Sequence, residues 1–286
     1  MSNAVVNLNE RLGKKPEPVK VEITRKRWRF PVKYLYPVLT VIVLLCLWEA
    51  VVVAANVGTW FLPRPSAVII ACFEQAAMLL PAALVTTQEI VAGFALSIVV
   101  GLAIAMIIVS NRVVEESFYP LLVATQVIPK IAIAPILTIW FGYGLAPKVM
   151  VTFLIAFFPI VVDAIIGFKS VPIAKVQLAQ TMGAASWQIF KNIRLPSALP
   201  SIMGGVKIAS TFAVVGAVVG EFIGSDDGLG RVILVANGNF DTVLVFAAIT
   251  YLTIIGVALF LIVEAAERFL IPWHVSRRAD HSTAKV

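Results

Sequence analysis

The stretch "LAQTMGAASWQIFKNIRLPSALP", Leu178–Pro200, separates two long apolar runs, yet it is itself polar and carries Lys191 and Arg194. Joining two helices takes about 2–8 residues. The segment from Phe168 to Pro200 is several times that length. Its internal pattern is helical. Ile173–Met182 reads as one short helix, and Gly183 ends it as glycine does at a left-handed cap. Ser186 is placed to cap a second helix with Trp187, Phe190 and Ile193 on one side. Leu195-Pro196 stops that helix, and Pro200 stands where a proline opens the next one. Two short helices meeting at a sharp corner make a compact knob, a shape that fits a cleft on another protein.

The apolar runs around this knob set the class of the chain. Of its 286 residues, 60% are hydrophobic and 14% charged, with a mean hydropathy of +0.94. A soluble domain carries about 25% charged residues, so the excess apolar surface must face lipid. A membrane helix needs about 20 mostly apolar residues, and six such runs can be read. They are Tyr34–Ala55, Thr86–Val109, Phe118–Phe141, Pro147–Phe168, Ser201–Phe222 and Val243–Ile271. The chain is therefore expected to be an all-α membrane protein in three parts. A basic tail covers residues 1–33, a six-helix membrane domain 34–272, and a short tail 273–286. The opening polar segment and the length of the first run argue against a secretory signal peptide.

Orientation follows the distribution of Lys and Arg. With the N-terminus in the cytoplasm, eighteen of these residues lie inside and only Arg64, Lys148 and Arg231 outside. Both termini and the knob are then cytoplasmic, in a multi-pass protein of the cell (inner) membrane. The segment Asn56–Val85 lies outside and holds a short apolar helix after Pro63 and Pro65, too short to span. A net charge of +7 and a pI near 9.5 would point to nucleic acid in a soluble chain. Here the basic residues flank apolar runs and suit the anionic cytoplasmic leaflet, so the partner is the bilayer and no nucleic acid is expected. Cys46 and Cys72 make no disulfide framework or metal motif. His274 and His281 lie in the tail, too few and too badly placed for a metal centre.

Polar residues inside the runs are the candidates for function. Lys130 falls in the third span between Pro129 and Pro135, where a cation costs about 2.5–3.5 kcal/mol. Either it lines a pathway for a polar or anionic solute, or it pairs with a carboxylate or with a carbonyl freed by Pro129. Gln126, one turn earlier, shares its side of the helix. Asp163 sits toward the cytoplasmic end of the fourth span. It is placed to tie that span to the loop that follows; with Glu49, Glu89 and Glu221 it reads as a rim residue or structural ion pair, and a proton relay would need the four staggered along one face. Pro120, Pro129 and Pro135 together imply a bent, cavity-lining third helix, since irregular backbone is tolerated only where protein or water covers it. Gly216, Gly220 and Gly224 repeat every four residues, a spacing for close helix packing within the subunit or across a two-fold seam. "GSDDGLG", Gly224–Gly230, is an outer turn, plain or in contact with a partner, and it lacks the spacing of a calcium loop.

The order short helix, Gly183, then "IRLPSALP" resembles the cytoplasmic EAA loop of ABC-importer permeases. "FLPRPSAV" (Phe61–Val68), "IPKIAIAPILTIWFGYG" (Ile128–Gly144), "FFPIVVDAIIGFKSV" (Phe157–Val171) and "VVGAVVGEFIGSDDGLG" (Val214–Gly230) are similar, in the same order, to the nitrate/sulfonate/taurine branch of that family. The resemblance covers Tyr34 to His274. It implies a type I importer fold with six transmembrane helices and a cytoplasmic coupling helix between spans four and five. It also implies a second permease copy, two cytoplasmic ATPase subunits that bind the ATP and Mg, and an external solute-binding protein. The coupling residues it assigns are Gln177, Leu178, Ala179, Gly183, Trp187, Leu195 and Pro196, with Pro200 matching as well. Gln177-Leu178-Ala179 stands where the family has Glu-Ala-Ala, so a carboxylate contact to the ATPase is absent or replaced by a hydrogen bond. The translocation path is expected at Gln126, Lys130 and Asp163.

The chain has no G-x-x-x-x-G-K-[ST] loop and no catalytic Ser/His/Asp or HExxH grouping. It is therefore expected to be no enzyme and to hold no cofactor of its own, with the energy supplied by another chain. The function implied is uptake of a small polar or anionic solute by alternating access, the solute resembling nitrate, a sulfonate, taurine or a pyrimidine-type heterocycle. The rival reading is a self-sufficient, ion-coupled secondary transporter, which would use Lys130 and the membrane carboxylates but leave the knob without a task.

Overall fold

A computed structural model of the chain describes residues 32–272, with side chains from Leu35 onward. The basic N-terminal residues, the tail after residue 272 and both histidines lie outside the described residues. The Cα packing divides the chain into two units, residues 1–46 and 47–286. In the first, the described residues form the opening turns of helix α1 (Val32–Ala54), whose side chains from Leu35 to Leu45 are exposed. An apolar helix of this kind is suited to lipid.

The second unit begins with the last turns of α1. It continues through α2 (Pro65–Glu74), α3 (Ala76–Ser110), α4 (Arg112–Thr125), a 3-10 turn (Lys130–Ile133), α5 (Ala134–Phe141) and α6 (Leu145–Lys169). Then come α7 (Ile173–Thr181), α8 (Ser186–Ile189), a π turn (Phe190–Arg194), α9 (Leu195–Gly224), α10 (Leu229–Gly238) and α11 (Thr242–Leu270). Among the described residues, five helices are long and apolar enough to cross a membrane. The bent pair α4 and α5, with an angle of 83° at the break, makes a sixth when the two are taken together as one span. The all-helical reading of the sequence therefore holds, and five of its six runs are single helices of spanning length, whereas the third run is two helices rather than one. Pro129 has no N–H to give, and its own backbone is extended at φ −68°, ψ 98°. The chain turns through i→i−3 bonds at Gln126, Val127 and Ile128, and Pro135 opens α5 in its first turn.

Two other boundaries differ from the sequence reading. Helix α3 starts at Ala76 rather than Thr86, because "AAMLLPAAL" is rich in strong helix formers. At 35 residues it spans about 52 Å, well beyond the ~30 Å of a hydrocarbon core. Leu195-Pro196 does not stop the second short helix. The π turn carries the chain straight from α8 into α9, with the Leu195 N–H donating to the Phe190 carbonyl. The wider turn spares the missing N–H of Pro196, and Pro200 lies inside α9 rather than at its first turn.

The core is built around α6, which α3 and α9 flank along their lengths. Ile160, Val161, Ala164 and Ile165 of α6 are buried in one core cluster with Ala209, Ala213 and Ala217 of α9. A methyl group at Gly216 would come within 2.6 Å of the Thr152 Cα, and one at Gly220 within 3.0 Å of the Lys148 Cα. The glycine repeat thus serves packing within the subunit. Gly224 meets the side chains of Thr138 and Tyr143 instead.

Candidate functional site

The knob predicted from the sequence forms as a closed corner. Gly183 adopts φ +82°, its N–H donates to the Gln180 carbonyl, and the Ala184 N–H donates to that of Ala179. These two bonds are a Schellman motif, which only glycine closes without strain. Ser186 is not the cap of the second helix. Ala185 holds that position, and the Gln188 side chain reaches back to accept its N–H at 2.9 Å. Leu178, Met182 and Trp187 stand exposed on the knob, an apolar face of the sort that marks a protein interaction site. Gln177 lines a cleft of about 490 Å³ with Glu115, Lys169, Gln180 and Arg194.

An aromatic ladder ties the corner to the bundle. The Trp187 ring stacks on Phe190 at 5.7 Å, and Phe190 meets Phe168 at 5.8 Å. Phe168 is buried in the main core at the end of α6. Leu195 packs against that same core, and half-buried Pro196 follows it in the first turn of α9. Next to them, Lys169 pairs with Glu115 of α4 and lies over the Tyr119 ring.

Gln126, Lys130 and Asp163 come together. They line one cavity of about 290 Å³ with Ile155, Phe158, Pro159, Val162, Ile208 and Phe212. The broken third span supplies Gln126 and Lys130, α6 supplies Asp163 and Phe158, and α9 supplies Ile208 and Phe212. Of the sequence readings of Lys130, the contact with a freed carbonyl is present. Its ammonium donates to the Gln126 carbonyl at 3.3 Å, a group the break leaves without a helical partner, and it also faces the cavity. It lies 4.4 Å from the centre of the Phe158 ring, a cation–π distance. A methyl group at Gly205 would come within 2.7 Å of the Pro159 carbonyl oxygen, so glycine there brings α9 close beneath Asp163.

At the other end of α6 the structure holds a buried charged cluster that the sequence did not bring together. Lys148 is not the loop charge the orientation count made it. It is buried and donates to Glu89 Oε1 at 2.7 Å, so Glu89 is a structural partner inside the bundle rather than a rim residue. Glu221 is buried on α9 and accepts from the Thr86 hydroxyl at 2.6 Å and from the Gly230 N–H. Glu49 is neither a path residue nor a partner in this cluster. Both its oxygens accept from Ser66, through the backbone N–H at 3.0 Å and the hydroxyl at 2.8 Å, which stabilises the first turn of α2. Hydropathy placed Glu89 in the second run and Lys148 at the start of the fourth but could not pair residues 59 positions apart. Among the described residues, no group of three or more His, Cys, Asp or Glu side chains is placed to hold a metal ion.

Several membrane-length helices, a cavity with a few polar groups beside a broken helix, and a projecting helical corner define a multi-pass membrane transport subunit. Comparison with known proteins gives the family. Residues 97–273 match the model of the binding-protein-dependent transport system inner membrane component, and the chain belongs to that family. It is an inner-membrane permease subunit of the ABC-transporter class, not an enzyme. It is 39% identical to the formylaminopyrimidine transport permease protein ThiX of Halalkalibacterium halodurans over 84% of this chain and 96% of that one. Identity to the riboflavin transport system permease protein RibX of Chloroflexus aurantiacus is 35%, over 83% of this chain and 89% of that one. The taurine transport system permease protein TauC of Escherichia coli is 29% identical, over 89% and 96%. The fold matches a chain of the MetNI methionine ABC transporter in an inward-facing conformation. The TM-score is 0.60 at 17% identity, covering 69% of this chain and 98% of that one.

Proposed function

We propose that two copies of this chain enclose a translocation path at the cavity of Gln126, Lys130 and Asp163. The observation that carries the reading is the convergence of these three residues, from two spans, on one wall. A Lys and an Asp facing hydrocarbon are costly, and at about 290 Å³ the cavity is at the small end of ligand sites. A second copy laid over Ile208, Phe212 and Val215, which are exposed along α9, covers the charges and completes the volume. Two ATPase subunits, which bind ATP and Mg, grip the α7–α8 corner through Leu178, Ala179, Gly183 and Trp187. An external binding protein delivers the solute at the far end. Both termini and the corner lie on the cytoplasmic side, in keeping with the Lys/Arg distribution, with residues 34–272 as the membrane domain.

The solute is small and polar. A path built for a simple anion has no use for Asp163, whereas a nitrogen heterocycle offers donors to Asp163, acceptors to Lys130 and a flat face to Phe158 and Phe212. The names of the relatives ThiX and RibX agree with this. Nitrate, sulfonate and taurine cargo are the alternatives that the test separates. ATP-driven uptake into proteoliposomes holding the whole transporter is measured with a labelled aminopyrimidine and with taurine. Lys130→Ala is expected to reduce uptake of the preferred solute roughly 10-fold or more, the loss of a charge-assisted hydrogen bond of about 1.5–3 kcal/mol. Unchanged uptake in Lys130→Ala at equal membrane levels overturns the path assignment, and uptake driven by an ion gradient without ATPase subunits overturns the importer reading.

A further inference from the structure

The charged cluster at the far end of α6 contains one atom without a partner. Glu89 Oε1 accepts from Lys148, but Oε2 is buried and has no donor. Glu221 belongs to the same cluster: Thr86, one turn before Glu89 on the same face of α3, bonds it at 2.6 Å, and Gly220 beside it packs on the backbone of Lys148. Glu221 is already an acceptor at both oxygens, toward the Thr86 hydroxyl and the Gly230 N–H. Two ionised carboxylates and one ammonium would leave a net negative charge in a site where Glu89 and Glu221 are fully buried. Burying such a charge unpaired is costly. Of the charged groups on the surrounding elements, Lys148 bonds Glu89 and Glu221 is buried in the same cluster, whereas Asp226, Asp227 and Arg231 are exposed at the nearby turn.

We infer that Glu89 carries a proton on Oε2 and donates it to Glu221, so that a neutral Glu89, an ionised Glu221 and Lys148 form a charge-balanced clasp. The clasp fastens the start of α10. Glu221 takes the Gly230 N–H, and Thr86, which donates to Glu221, accepts the Leu229 N–H at 2.9 Å. The chain wraps the carboxylate so closely that a methyl group at Gly228, where φ is +109°, would lie 2.2 Å from Glu221 Oε1. One at Gly230 would lie 2.6 Å from Oε2. "GLG" is therefore a cradle for Glu221, and Glu89 is the positioning residue that supplies its third donor. Helix α10 is thereby locked to α3 and α9 as one body at the end of the bundle away from the α7–α8 corner.

The test is an asymmetry between two isosteric changes, made in the assembled transporter. In Glu89→Gln an amide N–H replaces the O–H toward Glu221, and the amide oxygen still accepts from Lys148. Uptake is expected to stay within about twofold of the unaltered protein. Glu89→Ala and Glu221→Gln, which remove the donor or turn an NH₂ toward the N–H and O–H donors, are expected to lower uptake more than tenfold. Infrared difference spectra between the unaltered protein and Glu89→Gln are expected to show a protonated-carboxyl C=O band that the substitution removes. Glu89→Gln as impaired as Glu89→Ala, or no such band, overturns the assignment of the proton. Neither result bears on the path at Lys130.

Discussion

Replacing Gly183 isolates backbone conformation from bulk at the proposed coupling corner. The residue sits at φ +82°, and a Cβ built on it meets nothing within 4 Å. Alanine therefore brings no collision, only the cost of holding an L-residue in the left-handed region, about 1–2 kcal/mol. That cost is a factor of about 5–30 in the population of the closed corner. Where docking of the ATPase limits turnover, ATP-driven uptake falls by the same factor. Asparagine tolerates this region better than alanine, so Gly183→Asn is expected to fall between wild type and Gly183→Ala. Gly183→Trp adds a large ring on the face offered to the partner and is expected to abolish uptake while leaving membrane insertion intact. The assay is uptake in vesicles at matched protein levels, with copurification of the ATPase as a second readout. Normal uptake in the Trp variant, or Ala and Asn variants equally impaired, would refute the claim that this corner's handedness couples the two chains.

Two further outcomes follow from packing. Gly216→Ala drives a methyl to 2.6 Å from the Thr152 Cα, a backbone atom that cannot step aside, and overpacking of that kind costs about 1–3 kcal/mol. Gly224→Ala, whose nearest contact is a side-chain methyl at 3.3 Å, is expected to cost less, and thermal unfolding in detergent ranks the two. Lys148→Met removes the cation of the buried cluster and strands the Glu221 carboxylate, at about 3–5 kcal/mol. The folded, monodisperse fraction extracted from membranes is expected to drop sharply, and a yield equal to that of the unaltered chain argues against the charge balance.

What could be read from the sequence depended on how local the cause was. Gly183 was legible because a sharp helix corner needs a positive φ, and glycine is the residue that takes one freely. The spans were legible because hydropathy is summed within each helix. The bend of the third span was signalled by Pro129 and Pro135, but its 83° angle depends on what the two halves pack against. The passage through Leu195-Pro196 was not legible. A proline after a helix is a stop signal, and the π turn that absorbs it has no residue signature of its own. The pairing of Lys148 with Glu89 was invisible for a different reason. Charge burial is decided by which spans become neighbours, and nothing in one chain's pattern specifies that α3 lies along α6.

The corner, the cavity and the clasp all hang on α6 and α9. Helix α6 carries Phe168 and Lys169 at the corner, Asp163 and Phe158 at the cavity, and Lys148 at the clasp; α9 carries Leu195, Phe212 and Glu221 at the same three levels. Gly205, Gly216 and Gly220 leave no gap between the two helices. A close-packed contact of this kind does not slide by degrees. A displacement of the corner is therefore carried along the pair as a whole, and it must be taken up where packing is looser. The break at residues 126–129 is such a joint. Its backbone bonds are short-range turns, and Lys130 spans it through a single side-chain bond of 3.3 Å to the Gln126 carbonyl. The residue that lines the proposed path is thus also the one that bridges the joint, so movement of α4 against α6 has to change what the cavity presents to a solute.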